Sequence, residues 1–567
     1  MASTFFSWLD YVIFAVISAS GCAIGIFFGF YSKQSTAHDY LFGGKKVKWF
    51  PIAMSLVASA FSGLSLLGLP TEVYLYGTQV TVMTFSIILA GWLNYVIYIP
   101  VFYNLQVGSI YEYIEGRYNR HLKAVLSFLS IINNITTLPI FMYVPSLIFS
   151  QVSGVDLHTI APIMIIICIF YTAVGGIKAV VWADTLQFFI TVLTLIIIII
   201  LGIIKIGGIT VVFEKSQQGN RLELFNFNLD PTIRMSFWSV LIGNVFSWSG
   251  MISIAPPEVQ RYVALPKRTD IKKVLIIFTV LISIMKTICV FLGLIIHAKY
   301  FECDPKSMGE IKKADQIVPY FITEIVGDLM GLSGLFMAAF FGTAFSTFST
   351  LLNNLSGMIY TDFGSCFIPN KLLKEKPAMI LKLLTTFIGL SSIGLIYLLE
   401  HVGTVFEVVY YFKGITGGAG AISGGITSIT LMSVIIIKNQ MYIWNGVIKH
   451  QTKSLHTYGC NSTNSSTVFA TTMKSLTSTL LTDNLPPTTA NEEPFWLFRI
   501  SFQYYYLIGT MTTVIVGLLA SWLTRKKSDM AVDPDYISPF VNNIRKKLWP
   551  PTKLEKEAEP LKATDNI

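Results

Sequence analysis

The chain has 567 residues, 53% of them hydrophobic and 13% charged, with a mean hydropathy of +0.61. Soluble proteins average about 25% charged residues, so the composition excludes a soluble globular domain and reads as an all-α polytopic membrane protein. The net charge of +9 lies mostly in short loops as Lys and Arg, where it reports membrane orientation and not a nucleic-acid partner.

Apolar runs long enough to cross a bilayer predict helices at 8–31, 49–73, 79–103, 122–151, 157–177, 181–206, 234–256, 273–297, 317–362, 378–399, 402–437 and 496–524. The first run lacks a basic leader and does not read as a cleaved signal. Lys33, Lys45, Lys46 and Lys48 follow it, which places that loop in the cytoplasm and the N-terminus outside. Alternation then puts Arg117, Arg120 and Lys123 inside, with Arg261, Lys267, Arg268, Lys272 and Lys273, and later Lys371, Lys374 and Lys376; Lys306, Lys312 and Lys313 run against the bias.

The run at 49–73 carries Ser55, Ser59, Ser62, Gly63, Ser65, Gly68 and Pro70 where a plain anchor would carry Leu or Ile. Backbone carbonyls freed by Gly or Pro in hydrocarbon need buried protein or a water-lined cavity. The stretch therefore predicts a helix broken at mid-membrane, as in secondary transporters that bind Na⁺; a tightly packed helix interface made of small residues reads it equally well. Five runs later the helix at 234–256 is interrupted in turn, by Gly243, Gly250, Pro256 and Pro257, as an inverted repeat requires.

Asp184 opens the apolar run that follows Val174-Gly-Gly, and an ionisable group there is a functional candidate or a charge favoured by a helix N-terminus. In the run at 317–362, Thr343, Ser346, Thr347 and Thr350 share one helical face. Hydroxyl oxygens in that pattern suit a small hard cation, or satisfy carbonyls of their own helix.

Between 399 and 438 the topology is strained. Two crossings need about 40 residues plus a turn, and 402–437 is shorter than that, yet two crossings keep both Asn461-Ser-Thr and Asn464-Ser-Ser, candidate glycosylation sites, outside and the basic tail inside. The tail, 525–567, reads as disordered, and its last residues, Thr564-Asp-Asn-Ile, offer a weak PDZ-type contact. No nucleophile–base pair, phosphate loop, CxxC or Cys/His cluster supports an enzyme or an organic cofactor.

Several stretches together resemble the sodium:solute symporter family, most closely its monocarboxylate and multivitamin branch. They are Asp39-Tyr-Leu-Phe-Gly-Gly-Lys, LLGLPTEVYLYGTQ at 66–79, GGIKAVVWADTLQ at 175–187, EVQRY at 258–262, CDP at 303–305 with Asp315-Gln316, and GLFMAAFFGTAFSTFSTLLNNL at 334–355. The resemblance implies a leucine-transporter-like fold of two inverted five-helix repeats, with about 13 transmembrane helices in total. The division is an extra N-terminal helix (1–31), a core (47–437, repeats 47–209 and 234–425), an outer loop (438–495), a last helix (496–524) and the tail.

It also implies a sodium site at the carbonyls of Ala58 and Phe61 and the side chains of Thr343, Ser346 and Thr347, and a second near Asp184 and Ser349. Substrate is expected between the broken helices near Ser62, Ser65, Gln79 and Trp248. Two features depart from the family: the stretch YYFKGITGGAGAISGG is short, and Ala255-Pro-Pro-Glu replaces polar residues before EVQRY. Cys303 and Cys460 lie in outer loops and form a candidate disulfide. The expected function is plasma-membrane import of a small organic anion driven by Na⁺; the rivals are a non-transporting sensor or degenerate paralogue, and a symporter for iodide or sugar.

Overall fold

The computed structural model describes residues 6–31, 34, 36–105, 109–326, 329–399, 422–448, 452–460, 494–524 and 536–548. Every regular element among them is helical, and nine helices are long and apolar enough to cross a bilayer, or ten if a bent pair counts as one span. In chain order they are α1 (Trp8–Tyr31), α2 (Ala37–Phe42), α3 (Trp49–Ala60), α4 (Gly63–Tyr76), α5 (Met83–Leu93), α6 (Ile99–Leu105), α7 (Ile110–Arg117), α8 (Arg120–Ser153) and α9 (Leu157–Ile206). There follow α10 (Ile209–Gln218), α11 (Phe237–Ser249), α12 (Pro256–Val263), α13 (Arg268–Lys299), α14 (Ile317–Val326), α15 (Leu332–Met358), α16 (Gly364–Phe367), α17 (Asn370–Glu375) and α18 (Pro377–Leu399). The last are α19 (Ile422–Trp444), α20 (Trp496–Arg499), α21 (Tyr505–Thr524) and α22 (Pro539–Leu548).

Helix α15 forms the axis: its most apolar stretch is 89% buried, against 50% or less for the other eight unbroken spans. Lipid tails are as apolar as Leu, so what holds such a helix is close packing and polar contacts and not hydrophobic transfer. Phe336, Phe340, Phe341, Phe345 and Phe348 supply the packing. The polar contact comes from Asp10 of α1, buried, whose Oδ1 accepts from Gly334 N at 2.7 Å. Gly331 offers α15 no side-chain cap, so a carboxylate from another helix satisfies an amide of its first turn.

The runs read separately at 157–177 and 181–206 are two helices that meet at a kink at Gly176, where φ is +56° and ψ is −157°; α9 denotes the pair. Only glycine adopts that conformation readily, and a Cβ would stand 2.6 Å from Gln34 Oε1 and 3.0 Å from Tyr40 O. Gly176→Ala is expected to cost about 1–3 kcal/mol and to deliver much less protein to the cell surface. Surface biotinylation and thermal unfolding in detergent check this; an unchanged melting temperature would count against it. The run read as one at 317–362 is two helices, α14 and α15, because the chain turns at Gly331 with φ +91°.

The crossing number of 402–437 turns on residues 400–421, which lie outside the described residues, as do Asn461, Asn464 and Thr564–Ile567. The described part, α19, runs on to Trp444 and packs with α21 through Met432, Ile435, Ile436 and Tyr505. Within the tail expected to be disordered, α22 is a helix, with Tyr536 and Ser538 ahead of it docked on the bundle.

Cys303 and Cys460 are joined by a disulfide, with Cα atoms 5.0 Å apart. It secures the segment 452–460 over the end of α4: Lys453 N donates to Leu75 O at 2.9 Å and Asp304 N to His456 O at 2.9 Å. Arg221, fully buried, donates to Tyr74 O at 2.9 Å and Ser454 O at 3.0 Å. Burial pushes its guanidinium down to about 10, which leaves it charged at neutral pH.

Candidate functional site

Helices α3 and α4 are one span bent by 53°. Phe61 leaves helical geometry (φ −97°, ψ 74°) and Ser62 is extended (φ −75°, ψ 162°), so the last carbonyls of α3 lose their helical amides. Val57 O keeps its helical donor, Phe61 N, at 2.9 Å, whereas Ser59 O takes another, Thr347 Oγ1, at 3.3 Å. The second interruption lies between α11 and α12. There a π turn, Gly250–Ile254, ends at Ala255 in extended conformation with Pro256 opening the next helix.

The break in α3–α4 faces the hydroxyl row of α15. Ser59 Oγ lies 3.1 Å from Ser346 Oγ and 3.1 Å from Thr350 Oγ1. Thr347 Oγ1 reaches both Ser59 O and, at 3.2 Å, Thr343 O; Thr343 Oγ1 donates to Phe340 O at 2.8 Å. Ala58, Phe61 and Thr343 line a gap of about 10 Å³ closed by Gln187, Phe188 and Thr191. A void of that size holds one water-sized sphere. Ser346 and Thr347 lie outside the lining of this gap; hydroxyls that donate to carbonyls keep their lone pairs, so Thr343, Ser346 and Thr347 can each still offer a neutral oxygen to a cation. The structure thus brings Ala58, Phe61, Thr343, Ser346 and Thr347 together.

One helical turn from this row lies a charged network that the sequence reading did not assemble. Asp184 and Arg261 are both buried in the bundle, with Arg261 Nη2 3.2 Å from Asp184 Oδ2. The same nitrogen reaches Ser59 Oγ at 2.8 Å and Thr350 Oγ1 at 2.5 Å, and Ser55 Oγ donates to Asp184 Oδ2 at 2.6 Å. Among the described residues, Asp184 Oδ1 is buried without a hydrogen-bond partner. Ser349 is not joined to Asp184 by any hydrogen bond among the described residues; its Oγ donates to Ser346 O at 3.4 Å. Asp184 lies in mid-helix and not at a helix start. Beyond the network, a cavity of about 220 Å³ is lined by His38, Lys45, Glu112, Gln260 and Asn354.

Of the residues expected around substrate, Ser65 and Trp248 converge on one side chain. Lys286 of α13, 7% exposed, donates to Ser65 Oγ at 2.7 Å, with its Nζ 5.7 Å from the centre of the Trp248 ring and 5.8 Å from that of Phe61. Ser62 lies at the break itself. Gln79 is elsewhere: its Oε1 accepts from Asn226 N at 2.9 Å and pins a loop. Lys286 carries a signal the sequence reading passed over, a cation in mid-span, which marks a functional position by default. No group of three or more His, Cys, Asp or Glu able to hold a metal is found among the described residues.

The chain belongs to the sodium:solute symporter family, whose model matches residues 40–438; it is a multi-pass membrane protein of a class that couples solute transport to Na⁺. Among curated proteins it is 32% identical to the human (Homo sapiens) sodium-coupled monocarboxylate transporter 1, over 95% of this chain and 91% of that one. It is 29% identical to a putative sodium-dependent multivitamin transporter of Drosophila melanogaster, over 92% and 87%. Among solved structures, a Na⁺-coupled sialic acid symporter in a substrate-bound outward-open state superposes with a TM-score of 0.69 at 20% identity, covering 91% of this chain and 98% of that chain.

Proposed function

We propose that the protein is a plasma-membrane symporter that imports a small organic anion, a monocarboxylate or a carboxylate vitamin, together with Na⁺. The observation that carries the substrate class is the place of Lys286: a cation 7% exposed in mid-span, it donates to Ser65 Oγ on one interrupted helix and lies 5.7 Å from the Trp248 ring on the other, where a carboxylate could be held. Ser65 and the Trp248 ring then offer a hydroxyl donor and an apolar wall beside it, which suits a carboxylate with a short organic body. Asn461 and Asn464 stand as the glycosylated positions of the outer loop. The core is read as two inverted repeats within about 13 transmembrane helices, N-terminus outside and C-terminus inside, an orientation supported by the loop charges.

In this reading Ala58 and Phe61 carbonyls, with Thr343, Ser346 and Thr347, hold one sodium ion, and Asp184 Oδ1 offers a ligand for a second. Phe61 belongs to both places: it lines the gap and its ring faces Lys286. A cation at the gap and the Lys286 ammonium repel each other, and a substrate carboxylate beside the lysine would weaken that repulsion, so each ligand improves the site for the other. Two sodium ions with one anion carry net charge inward, and each charge moved contributes about 2.3 kcal/mol per 100 mV of inside-negative potential.

The test is uptake of labelled lactate, pyruvate, biotin and pantothenate in sodium and in choline medium. Accumulation of at least one of them in sodium alone is expected; equal flux in both media would reject the reading. Thr347→Ala removes one hydroxyl ligand and is expected to raise the half-saturating sodium concentration about tenfold, the equivalent of one hydrogen-bond-sized interaction of about 1.4 kcal/mol. Unchanged sodium dependence would reject the assigned ion site.

A further inference from the structure

Helix α22 has a composition that the transport reading does not use. None of its side chains among the described residues is buried, yet Phe540, Val541 and Ile544 are apolar and 42%, 43% and 42% exposed. At 100° per residue these three share an arc of about 100°. Lys547, exposed, borders that arc, and Arg545 and Lys546 precede it in sequence. An apolar arc edged by basic residues belongs to helices that lie in a membrane interface with the arc among the acyl chains.

The place of α22 on the bundle agrees with this. Tyr536 O accepts from Tyr113 Oη at 3.0 Å and from Arg117 Nη1 at 3.1 Å, and Ser538 Oγ donates to Val96 O at 3.5 Å. Gly116 of α7 permits the approach, since a Cβ there would overlap the Tyr536 ring. Val96 sits in the π turn Asn94–Tyr98, beside Tyr95, whose ring centre is 5.9 Å from Lys272 Nζ. Exposed Phe85, Ile88, Leu89 and Trp92 continue from there along α5 as a lipid-facing surface that ends in aromatic and basic residues, the pattern of a headgroup boundary.

We infer that α22 lies on the bilayer surface at this end of the bundle and binds anionic lipid headgroups. The proposed orientation makes this the inner leaflet, and the inference rests on that reading only for which leaflet is meant. Binding there holds Tyr536 against α7, whose Glu112 lines the 220 Å³ cavity.

The test uses the full chain in nanodiscs of phosphatidylcholine alone or with phosphatidylserine. Ile544→Cys is labelled with an environment-sensitive fluorophore, the exposed Cys366 having been replaced by Ser. The label is expected to be shielded from aqueous iodide in anionic discs and accessible in neutral ones. Lys547→Gln should lower the bound-to-free ratio about fivefold, the effect of one basic residue near an anionic surface, and added salt should weaken binding further. Equal quenching in the two lipids would overturn the inference. So would shielding that persists in detergent and rises with protein concentration, the mark of a second copy on the face. Neither readout depends on uptake, so failure here is separable from failure of the transport reading.

Discussion

Lys286→Gln is expected to lower sodium-driven uptake of the labelled anion about 30- to 1,000-fold, since removing one partner of a buried charge contact costs about 2–4 kcal/mol. The loss should be selective. A carboxylate and its neutral amide analogue, told apart by the wild type, should be handled nearly alike by the variant, because the discriminating charge is gone. The sign of a second effect follows from the shared residue Phe61. Without the ammonium, a cation meets less repulsion at the gap, so sodium-dependent charge movement in the absence of substrate should begin at lower sodium concentration. Two-electrode recording beside tracer uptake reads both quantities. Full uptake by Lys286→Gln, or loss of the carboxylate and the amide in equal proportion, would remove Lys286 from the substrate site.

Arg261→Ala is expected to be the more damaging to the fold. It leaves the Asp184 carboxylate buried with Ser55 as its remaining hydrogen-bond donor, and breaking a buried ion pair from one side costs about 3–5 kcal/mol. Little protein should reach the surface, and what is solubilised should melt earlier. Asp184→Asn combined with Arg261→Gln removes both charges and should recover much of the stability, though not the transport. Arg261→Ala at wild-type abundance and melting temperature would show that the pair holds nothing together.

The break at Phe61–Ser62 was legible because small and helix-breaking residues stand where an anchor would have none, and the hydroxyl row of α15 because its spacing matches the helical period. Those two features lie within single segments. Arg261 was read as a loop charge reporting orientation, and nothing local distinguishes a solvated arginine from one turned inward onto Asp184. Asp10 as a cap for α15 joins residues more than 300 positions apart, so no window along the chain contains both. Gln79 was placed near substrate through its motif, while its actual partner is a loop amide contributed by Asn226. The turn at Gly331 did carry a local signal, Gly327-Asp328 shortly before it, which the sequence reading passed over in taking two helices for one long run.

The fastenings around α4 bear on how the bent span can move. Its far end is held by Arg221 on Tyr74 O, by Lys453 on Leu75 O, by the Tyr74 hydroxyl on Asp304 at 2.5 Å, and by the covalent Cys303–Cys460 tie behind them. On α3, Ser55 donates to Asp184, and Ser59 meets Ser346 and the Arg261 guanidinium, all of them contacts between side chains. The two arms are therefore held differently: α4 by main-chain bonds with a covalent tie behind them, and α3 by side chains that meet the buried Asp184–Arg261 pair and the hydroxyl row.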